Sequence, residues 1–381
     1  MKIDWSAELN QAREIDARDP LAAFRDEFLF PQGGAGGARA GRDLLYFAGN
    51  SLGLQPRRAR RYIEEELEDW QRFGVEGHLR ARHPWLPYHE FLTENLARIV
   101  GAKSTEVVAG YECSGNRPGG MEALSSCGRF TGVRLADVLK SVGVGPKARE
   151  VVFFGADRGT IDVVFRQQTF KLDQQFGRSV PVADALEPDP ILAFNMNGEP
   201  LAREHGFPLR LVMPGYYGAC NVKWLSEIRV QRERYVGHYQ ARWYRTIRGI
   251  GGTGKDDGPD TQWLENEVTR LQLKSVISRV RKSGSAHTIM GFVLNDGTPL
   301  KSVEISIDGG PWQKATLDPA NTKYSWKLFS YKWDNATPGE HTIVSRATDI
   351  DGQVQPTAAD LARKRTFLED NGQFPRKVKI G

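Results

Sequence analysis

Cysteine is scarce in this chain, and no apolar run is long enough to cross a membrane. Three cysteines in 381 residues cannot build a disulfide framework, so they indicate a reducing compartment or a thiol function. The apolar runs all fall short of the ~20 residues that a membrane helix needs. Residues 1–5 begin neither an apolar signal core nor a twin-arginine motif. We therefore predict a cytoplasmic protein that does not enter a membrane.

The sequence also lacks a basic surface suited to nucleic acid. The formal net charge is +5, which suits a small anionic substrate but is weak for nucleic-acid binding. The densest basic run, at 57–61, is followed at once by an acidic run at 64–68, a pattern typical of a solvated helix face. A G-x-G-x-x-G pattern at 249–254 neither follows a clear apolar strand nor opens an apolar helix. We therefore do not interpret it as a nucleotide loop.

What is present starts with a helical part. Residues 1–30 show helical spacing of apolar positions, and a glycine-rich break at 33–37 and a short strand at 44–47 follow. A helix is predicted to begin near Pro56, and another to cover 91–100. The apolar stripe of the helix after Pro56 consists of Ala59, Tyr62, Ile63, Leu67 and Trp70.

The rest of the chain is mixed and then all β. A short helix is predicted at 135–142 and a Gly- and Asp-rich connection at 247–262. Strands are predicted at 151–154, 190–196, 209–213 and 227–231, and then at 275–280, 287–294, 301–307, 323–329 and 341–347. The turn spacing of the last hundred residues predicts a two-sheet sandwich. The fold class is therefore α+β.

One stretch of the helical part is specific, YFAGNSLGLQP at 46–56. Together with the Glu-rich helix, Trp70, the pair Gly77-His78 and the pair Pro84-Trp85, it resembles the start of kynureninase. Kynureninase is a pyridoxal-phosphate enzyme that cleaves kynurenine to anthranilate and alanine. The resemblance covers about residues 18–108 and then stops.

The point where this resemblance stops decides what it implies. A pyridoxal-phosphate enzyme needs a Schiff-base lysine, an acidic partner for the ring nitrogen and donors for the phosphate. In the family these lie beyond the segment present here, and no later lysine has a matching context. We therefore interpret Asn50 and Ser51 as helix-start and turn residues, and we do not expect pyridoxal phosphate to bind.

A second set of motifs begins at YECSGNR, residues 111–117, where a thiol, Cys113, stands in a short Gly/Asn turn. Further motifs follow in order: VRLADVL at 133–139, NGEPL at 197–201, HGFPLR at 205–210 and VKWL at 222–225. This ordered set resembles the sulfite oxidase family of molybdenum-cofactor oxidoreductases, from about residue 111 to 381. The resemblance implies three domains: a kynureninase-like helical fragment at 1–109, a molybdopterin-binding domain at 110–265 that is truncated at its start, and an immunoglobulin-like β-sandwich at 266–381.

The resemblance also implies a role for each matching residue. Cys113 would bind molybdenum, since a thiolate suits a soft metal beside dithiolene sulfurs. Tyr244 would be the second catalytic residue, hydrogen-bonding a substrate oxyanion, and Arg242 and Arg245 would bind substrate. The residues implied to hold the molybdopterin, with cationic donors suited to its phosphate, are Asp157, His205, Arg210, Asn221 and Lys223.

The activity implied is oxygen-atom transfer to sulfite or a similar small anion, with two electrons passing to an acceptor. No Cys-x-x-Cys-His haem motif is present, so the acceptor would be external, such as a cytochrome c. The family also implies a homodimer formed through the sandwich. Because the start of the cofactor domain is replaced, we expect impaired activity. A kynureninase-type lyase fragment and a non-catalytic fusion that retains a dimerising sandwich remain as alternatives.

Overall fold

The computed structural model describes residues 6–32, 53–85, 104–117, 124–250, 261–284 and 286–381. The chain divides into two compact units, Met1–Phe91 and Leu92–Gly381, called here the first and second units, and only their described residues are discussed. No helix in these ranges is long and apolar enough to cross a membrane. The predicted features that lie outside the described residues are the break at 33–37, the strand at 44–47, Asn50, Ser51, the helix at 91–100 and most of the 247–262 connection.

The described part of the first unit is mainly helical. Two short strands, β1 and β2, pair antiparallel. Gly74 ends the longest helix with a φ of 54°, a left-handed conformation that glycine adopts without strain. The elements are α1 (Ser6–Arg18), a 3-10 turn (Ala22–Glu27), β1 (Phe28–Leu29), β2 (Gln55–Pro56), α2 (Ala59–Phe73), a 3-10 turn (Gly74–Glu76) and α3 (Gly77–Arg80).

Helix α2 turns its predicted apolar stripe outward. Ile63 and Trp70 expose 62% and 63% of their surface, although such a stripe normally faces a core. Asp69, seven residues after Tyr62 and so on nearly the same side of the helix, is 3% exposed and accepts the backbone N–H of Arg82 at 2.6 Å. The structure therefore contradicts the packing that the stripe suggests, since apolar side chains of the stripe are exposed while a carboxylate is covered.

The second unit begins with a mixed α/β part. Helix α4 covers Leu135–Val142, as predicted, and α5 covers Val182–Ala185. The strands are β3 (Ser104–Glu112), β4 (Ser125–Arg134), β5 (Glu150–Phe165), β6 (Gln168–Pro181), β7 (Ile191–Met196), β8 (Glu199–Pro200), β9 (Arg210–Val212), β10 (Leu225–Gln231), β11 (Arg245–Ile250) and β12 (Gln262–Glu267).

Two sheets and α4 share one core in this mixed part. The first sheet has the order β3-β4-β7-β8 with β9 paired to β7, and the second has the order β10-β5-β6. Leu135 and Leu139 on the apolar face of α4 pack with Phe153 of β5 and Leu211 of β9, all of them buried. Strands β11 and β12 form a separate hairpin. This core holds β5 and β9, while Ala109 of β3 packs in a second cluster with Phe130 and Ile191. The ends of these three strands carry residues of the candidate site.

The last part of the second unit consists of two four-stranded sheets, in the orders β13-β14-β18-β17 and β16-β15-β19-β20. Ile289, Val303 and Ile343, from both sheets, lie buried in one core. The immunoglobulin-like identity of this pair of sheets stays a prediction. The strands are β13 (Lys274–Ser283), β14 (Ala286–Leu294), β15 (Leu300–Ile307), β16 (Gln313–Lys314), β17 (Thr316–Leu317), β18 (Lys327–Trp333), β19 (Gly339–Asp349) and β20 (Arg376–Ile380).

The domain boundary inferred at 109/110 falls inside β3. All nine residues of this strand pair with β4, from Ser104 opposite Val133 to Glu112 opposite Ser125. The end of the kynureninase-like segment, 104–108, is therefore part of the same strand that leads to Cys113. The two compact units divide earlier, between Phe91 and Leu92.

Candidate functional site

The turn that carries Cys113 follows β3 directly. The backbone N–H of Asn116 donates to the Cys113 carbonyl at 3.1 Å, which closes the turn. A Cβ atom at Gly115 would lie 3.2 Å from the ring of Phe367 and 3.8 Å from the Cys113 sulfur, so the tight packing here favours glycine. The Cys113 residue is exposed. The turn therefore presents its thiol for binding instead of burying it.

Contacts from distant parts of the chain anchor this turn. Glu112, just before the thiol, forms a buried ion pair with Lys274 at the start of β13. Burial raises the pKa of the Glu112 carboxyl, and the charge of Lys274 opposes that rise. The Glu369 N–H donates to the Ser114 carbonyl at 2.7 Å, and the Glu369 carboxylate accepts the Thr246 hydroxyl at 2.6 Å. The sandwich part and the chain end thus hold the thiol-bearing turn.

Tyr244, the second residue predicted to be catalytic, is close enough to the Cys113 thiol for the two groups to interact electrostatically. It follows a π-helical turn at Tyr239–Trp243, immediately before β11. Burial is the main cause that raises the pKa of the Tyr244 phenol, and the nearby Cys113 thiol raises it further. The guanidinium of Arg178, 5.4 Å from the Tyr244 ring centre, acts in the opposite direction. The structure thus brings the two predicted catalytic residues into one electrostatic neighbourhood.

The predicted cationic donors also come together. The Arg210 guanidinium donates to the His205 carbonyl at 3.0 Å and lies 5.5 Å from the ring centre of Tyr111, two residues before Cys113. Burial lowers the pKa of the Lys223 ammonium, and the charge of Arg210 lowers it further. Gly206 has a φ of 107°, and a Cβ atom there would lie 3.0 Å from Lys223 Cβ and 3.2 Å from Arg210 Cβ. A glycine therefore lets these two cations approach each other.

Asp157 lies beside this cationic cluster. The β5–β6 register shifts between Phe154 and Arg158, and Asp157 occupies that irregular segment. A Cβ atom at Gly155 would lie 2.9 Å from the Lys223 carbonyl and would clash with the Asp157 carboxylate. The charge of Asp157 opposes the lowering of the Lys223 pKa. The bulge thus turns the carboxylate toward the segment that carries Lys223.

Asn221 has a different role from the one implied. Its side-chain oxygen accepts the Met213 N–H at 2.7 Å, and its side-chain amide donates to the Tyr217 carbonyl at 3.1 Å. The residue is buried. Because both ends of the amide are used by the backbone, Asn221 positions the loop after β9 and does not offer a side-chain donor to a cofactor.

The two implied substrate-binding arginines are not equivalent. The Arg245 guanidinium donates to the Glu265 carboxylate at 2.9 Å and to the Glu265 carbonyl at 3.2 Å, across the β11–β12 hairpin. This pairing offsets its charge, so the structure contradicts Arg245 as a free anion donor. Arg242 lies exposed in the π-helical turn, and its charge helps to lower the pKa of His238, after burial. Arg242 therefore remains available.

Arg178 was not among the predicted site residues, but it holds backbone segments next to Tyr244 in place. It is fully buried and donates to the carbonyls of Tyr239 and Val268 and to the Cys220 sulfur, the last at 3.4 Å. Cys220 is thus a buried acceptor, while Cys127 is half-buried. Arg178, between Gly177 and Ser179, and Lys274, between Leu273 and Ser275, lie in no apolar run and in no motif. No local pattern therefore predicts either of them as a buried, paired charge.

Comparison with known proteins shows what the second unit is similar to. Residues 86–239 match the family model described as the oxidoreductase molybdopterin binding domain. A solved structure, the sulfane dehydrogenase SoxCD from Paracoccus pantotrophus, is similar with a TM-score of 0.60 and 25% identity, over 75% of this chain and 71% of that one. The mixed α/β molybdopterin-binding fold is therefore confirmed.

The relatives match two different parts of the chain, the same two parts in which the two sets of motifs lie. The mitochondrial sulfite oxidase of Mus musculus is 30% identical over 300 residues, 70% of this chain and 51% of that protein. The kynureninase of Myxococcus xanthus is 61% identical over 97 residues, 26% of this chain and 22% of that protein. Both predicted resemblances are confirmed. The chain spans about half the length of these sulfite oxidases and about a fifth of these kynureninases.

The residues of the site fit a molybdopterin in their chemistry. Arg210 Nε and Ser114 Oγ are buried and have no hydrogen-bond partner among the described residues, so each can bind an added polar group. The described residues hold no cluster of three or more His, Cys, Asp or Glu side chains suited to a metal. Most ligands of a metal at Cys113 would therefore come from an organic cofactor. A single exposed thiol, with the buried Arg210 guanidinium 5.5 Å from the ring centre of Tyr111 two residues earlier, is chemically consistent with such a cofactor.

Proposed function

We propose that the second unit is a molybdenum-cofactor oxidoreductase of the sulfite oxidase type, which oxidises sulfite or a similar small anion. One observation carries the proposal. The exposed Cys113 thiol stands in an anchored turn within electrostatic reach of Tyr244, and the strand that leads to it carries Tyr111, whose ring centre lies 5.5 Å from the Arg210 guanidinium. When bound, the cofactor would supply oxygen-atom transfer and take up two electrons.

The chain's own residues would bind the cofactor and orient the substrate. Cys113 would ligate the metal, while Arg210, Lys223, His205 and Asp157 would seat the pterin and its phosphate. Because the pKa of Tyr244 is raised, its phenol stays protonated at neutral pH and can donate a hydrogen bond to an anionic substrate. Arg242 is the cation that remains to attract that substrate.

We further propose that the activity is low. Arg245 is paired with Glu265 and Asn221 with backbone groups, so two of the implied donors are engaged elsewhere. A lost charge-assisted hydrogen bond weakens binding by roughly 1.5–3 kcal/mol. Without Arg245 as a donor, substrate affinity should therefore be well below that of an enzyme with a full set of donors, and without Asn221 the cofactor should bind less tightly.

Metal analysis of the purified full chain tests the proposal. We expect about one molybdenum per chain in the wild type and in Cys127→Ser, with weak sulfite-dependent reduction of ferricyanide in both. Cys113→Ser should lose this reduction. An absence of molybdenum in the wild type would reject the proposal. An absorption band near ~420 nm would favour the lyase alternative, and the absence of both signals would favour a non-catalytic fusion.

The partners follow from the same proposal. Oxidation of one sulfite to sulfate releases two electrons, and we propose an external acceptor such as a cytochrome c. We also propose a homodimer formed through the two four-stranded sheets. Sedimentation velocity of the full chain, with a sandwich-surface variant such as Leu328→Glu as the comparison, checks that association, since Leu328 is 45% exposed on β18.

A further inference from the structure

Strands β5 and β6 extend beyond the second unit's core as a two-stranded arm, residues 158–175. The arm begins just after Asp157, where the register shift ends, and its pairing is regular from Arg158–Gln175 to Phe165–Gln168. Arg166 and Gln167 close it with φ values of 48° and 65°, as in a two-residue type I′ turn. Nearly all of its residues are exposed or half-buried.

One face of this arm is mainly polar, with Val164, 69% exposed, as its apolar exception. Cross-strand partners in an antiparallel pair point to the same side, so residues 158, 160, 162 and 164 share a face with 175, 173, 171 and 169. Arg158 donates to Gln175 at 3.0 Å, Thr160 donates to Asp173 at 2.9 Å, and Lys171 pairs with Asp162 at 3.5 Å. This face suits contact with water.

The other face is apolar and bare. Ile161 lies opposite Leu172, Val163 lies opposite Phe170, and Phe165 follows at the tip. Phe165, Phe170 and Leu172 expose 56%, 44% and 42% of their surface. A two-stranded ribbon is marginally stable alone in water, and contiguous exposed apolar surface marks an interaction site. The apolar face of the arm therefore has the properties of a docking surface for another molecule.

The size of the face indicates which kind of partner. Five apolar side chains of this size, partly exposed, offer on the order of 300–500 Å². Two copies face to face would bury roughly 600–1,000 Å², whereas stable interfaces bury about 1,200–2,000 Å² and transient electron-transfer complexes less. The face is thus too small for a stable dimer and of the right size for a short-lived redox encounter.

The position of the arm agrees with that partner. The arm continues the strand that leads out of the candidate site, since it starts next to Asp157, whose charge acts on Lys223. The base of the arm therefore adjoins Asp157, and the apolar side chains begin four residues further along, at Ile161.

We propose that the apolar face of the arm docks the external electron acceptor, a small soluble c-type cytochrome that presents the apolar edge of its haem. This inference rests on the proposed function. Sulfite and water give sulfate, two protons released to solvent and two electrons. Each docking reduces one ferric haem to ferrous, so two successive cytochromes take the two electrons.

The test compares two double variants of the full chain. Phe165→Gln with Phe170→Gln removes aromatic anchors from the apolar face, while Val164→Gln with Thr169→Gln changes the opposite face at neighbouring positions. We expect the first variant to weaken binding of an oxidised c-type cytochrome, measured by titration calorimetry, by about tenfold or more, because buried aromatic anchors dominate such interfaces. The second variant should stay within about twofold of the wild type.

A kinetic readout accompanies the binding measurement. The KM for the cytochrome should rise in the apolar-face variant, while the rate with ferricyanide, which needs no docking, stays unchanged. Equal cytochrome binding by all three proteins, or no binding by the wild type, overturns the inference. So does a dimer, seen by sedimentation, that the apolar-face variant dissociates. If ferricyanide reduction is absent throughout, the proposed function fails, while the calorimetry still decides whether the arm docks a cytochrome.

Discussion

Helices α2 and α4 show how differently the two units use an amphipathic pattern. In the second unit, α4 buries Leu135 and Leu139 against two sheets and exposes Lys140. In the first unit, α2 exposes Ile63 and Trp70, while Asp69 is buried. Both helices have a well-defined apolar face, but in the described structure only α4 has a surface that covers it.

High sequence identity over a short segment does not mean that the segment buries its apolar face in a hydrophobic core. The first unit is far more similar to its relatives in sequence, at 61% against 30%, but it matches only 22% of the kynureninase. Sequence identity specifies the helix and its apolar face. A core needs two such faces that meet. The second unit is less similar to its relatives in sequence. The similarity extends over enough helices and strands, however, for two apolar faces to meet and form a core.

The largest effect that can test this comparison is expected at the buried ion pair of the second unit. Lys274→Met leaves the Glu112 carboxylate buried without its partner. Breaking one side of such a pair costs about 3–5 kcal/mol of unfolding free energy. Urea denaturation of the full chain, followed by circular dichroism, measures the loss.

The control for this prediction is an exposed pair in the same unit. Lys377 lies 3.3 Å from Glu340 across β19 and β20, and both side chains are largely exposed. Lys377→Met should change the unfolding free energy by no more than about 1 kcal/mol. Similar losses in both variants would show that the second unit lacks the tightly packed interior described here.

A matched pair of isoleucines compares the two units directly. Ile289 in the second unit has no exposed surface, whereas Ile63 in the first unit is 62% exposed. Ile289→Ala should lower the unfolding free energy by about 2–5 kcal/mol, since it removes buried methylenes and leaves a cavity. Ile63→Ala should stay within about 0.5 kcal/mol. A large loss at Ile63 would mean that α2 is covered in solution.

Much of the fold followed from the sequence because its local patterns are strong. The helix at 135–142 lies where predicted, and the strands at 190–196, 209–213 and 227–231 correspond to β7, β9 and β10. The strand expected at 323–329 is Lys327–Trp333, because Ser325 and Lys323 belong to the turn before it. The predicted strand ended at residue 154, although β5 continues to Phe165. A bulge after Phe154 interrupts the alternation of apolar and polar residues from which the rest of the strand could have been predicted.

The site was predictable in residue type but not in pairing. The motifs predicted Cys113, Tyr244, Arg210 and Lys223; the fold puts Arg210 beside Lys223, and Tyr244 within electrostatic reach of Cys113. Local sequence could not show that Arg245 meets Glu265 in the next strand, or that Asn221 turns to the backbone. Likewise, Lys274 stands 162 positions from Glu112. Such partners depend on tertiary contacts that no motif encodes.

The smallest effect expected is a pH dependence at the edge of the sandwich part. The His341 ring bonds the Asp308 carboxylate at 2.7 Å, and this hydrogen bond is the main cause that raises the pKa of His341. The same bond lowers the pKa of Asp308. A raised histidine pKa adds stability fully below the unfolded value of about 6.5, and this is lost as pH rises through the folded value. The Asp308 contribution is present above the unfolded pKa of about 3.9 and is lost in more acidic solution.

His341→Gln should therefore lower Tm more at pH ~5.5 than at pH ~9, and Asp308→Asn should show the same trend. Thermal scans of the three proteins at both pH values measure it; a Tm difference that does not change with pH would show that the His341–Asp308 bond carries no charge.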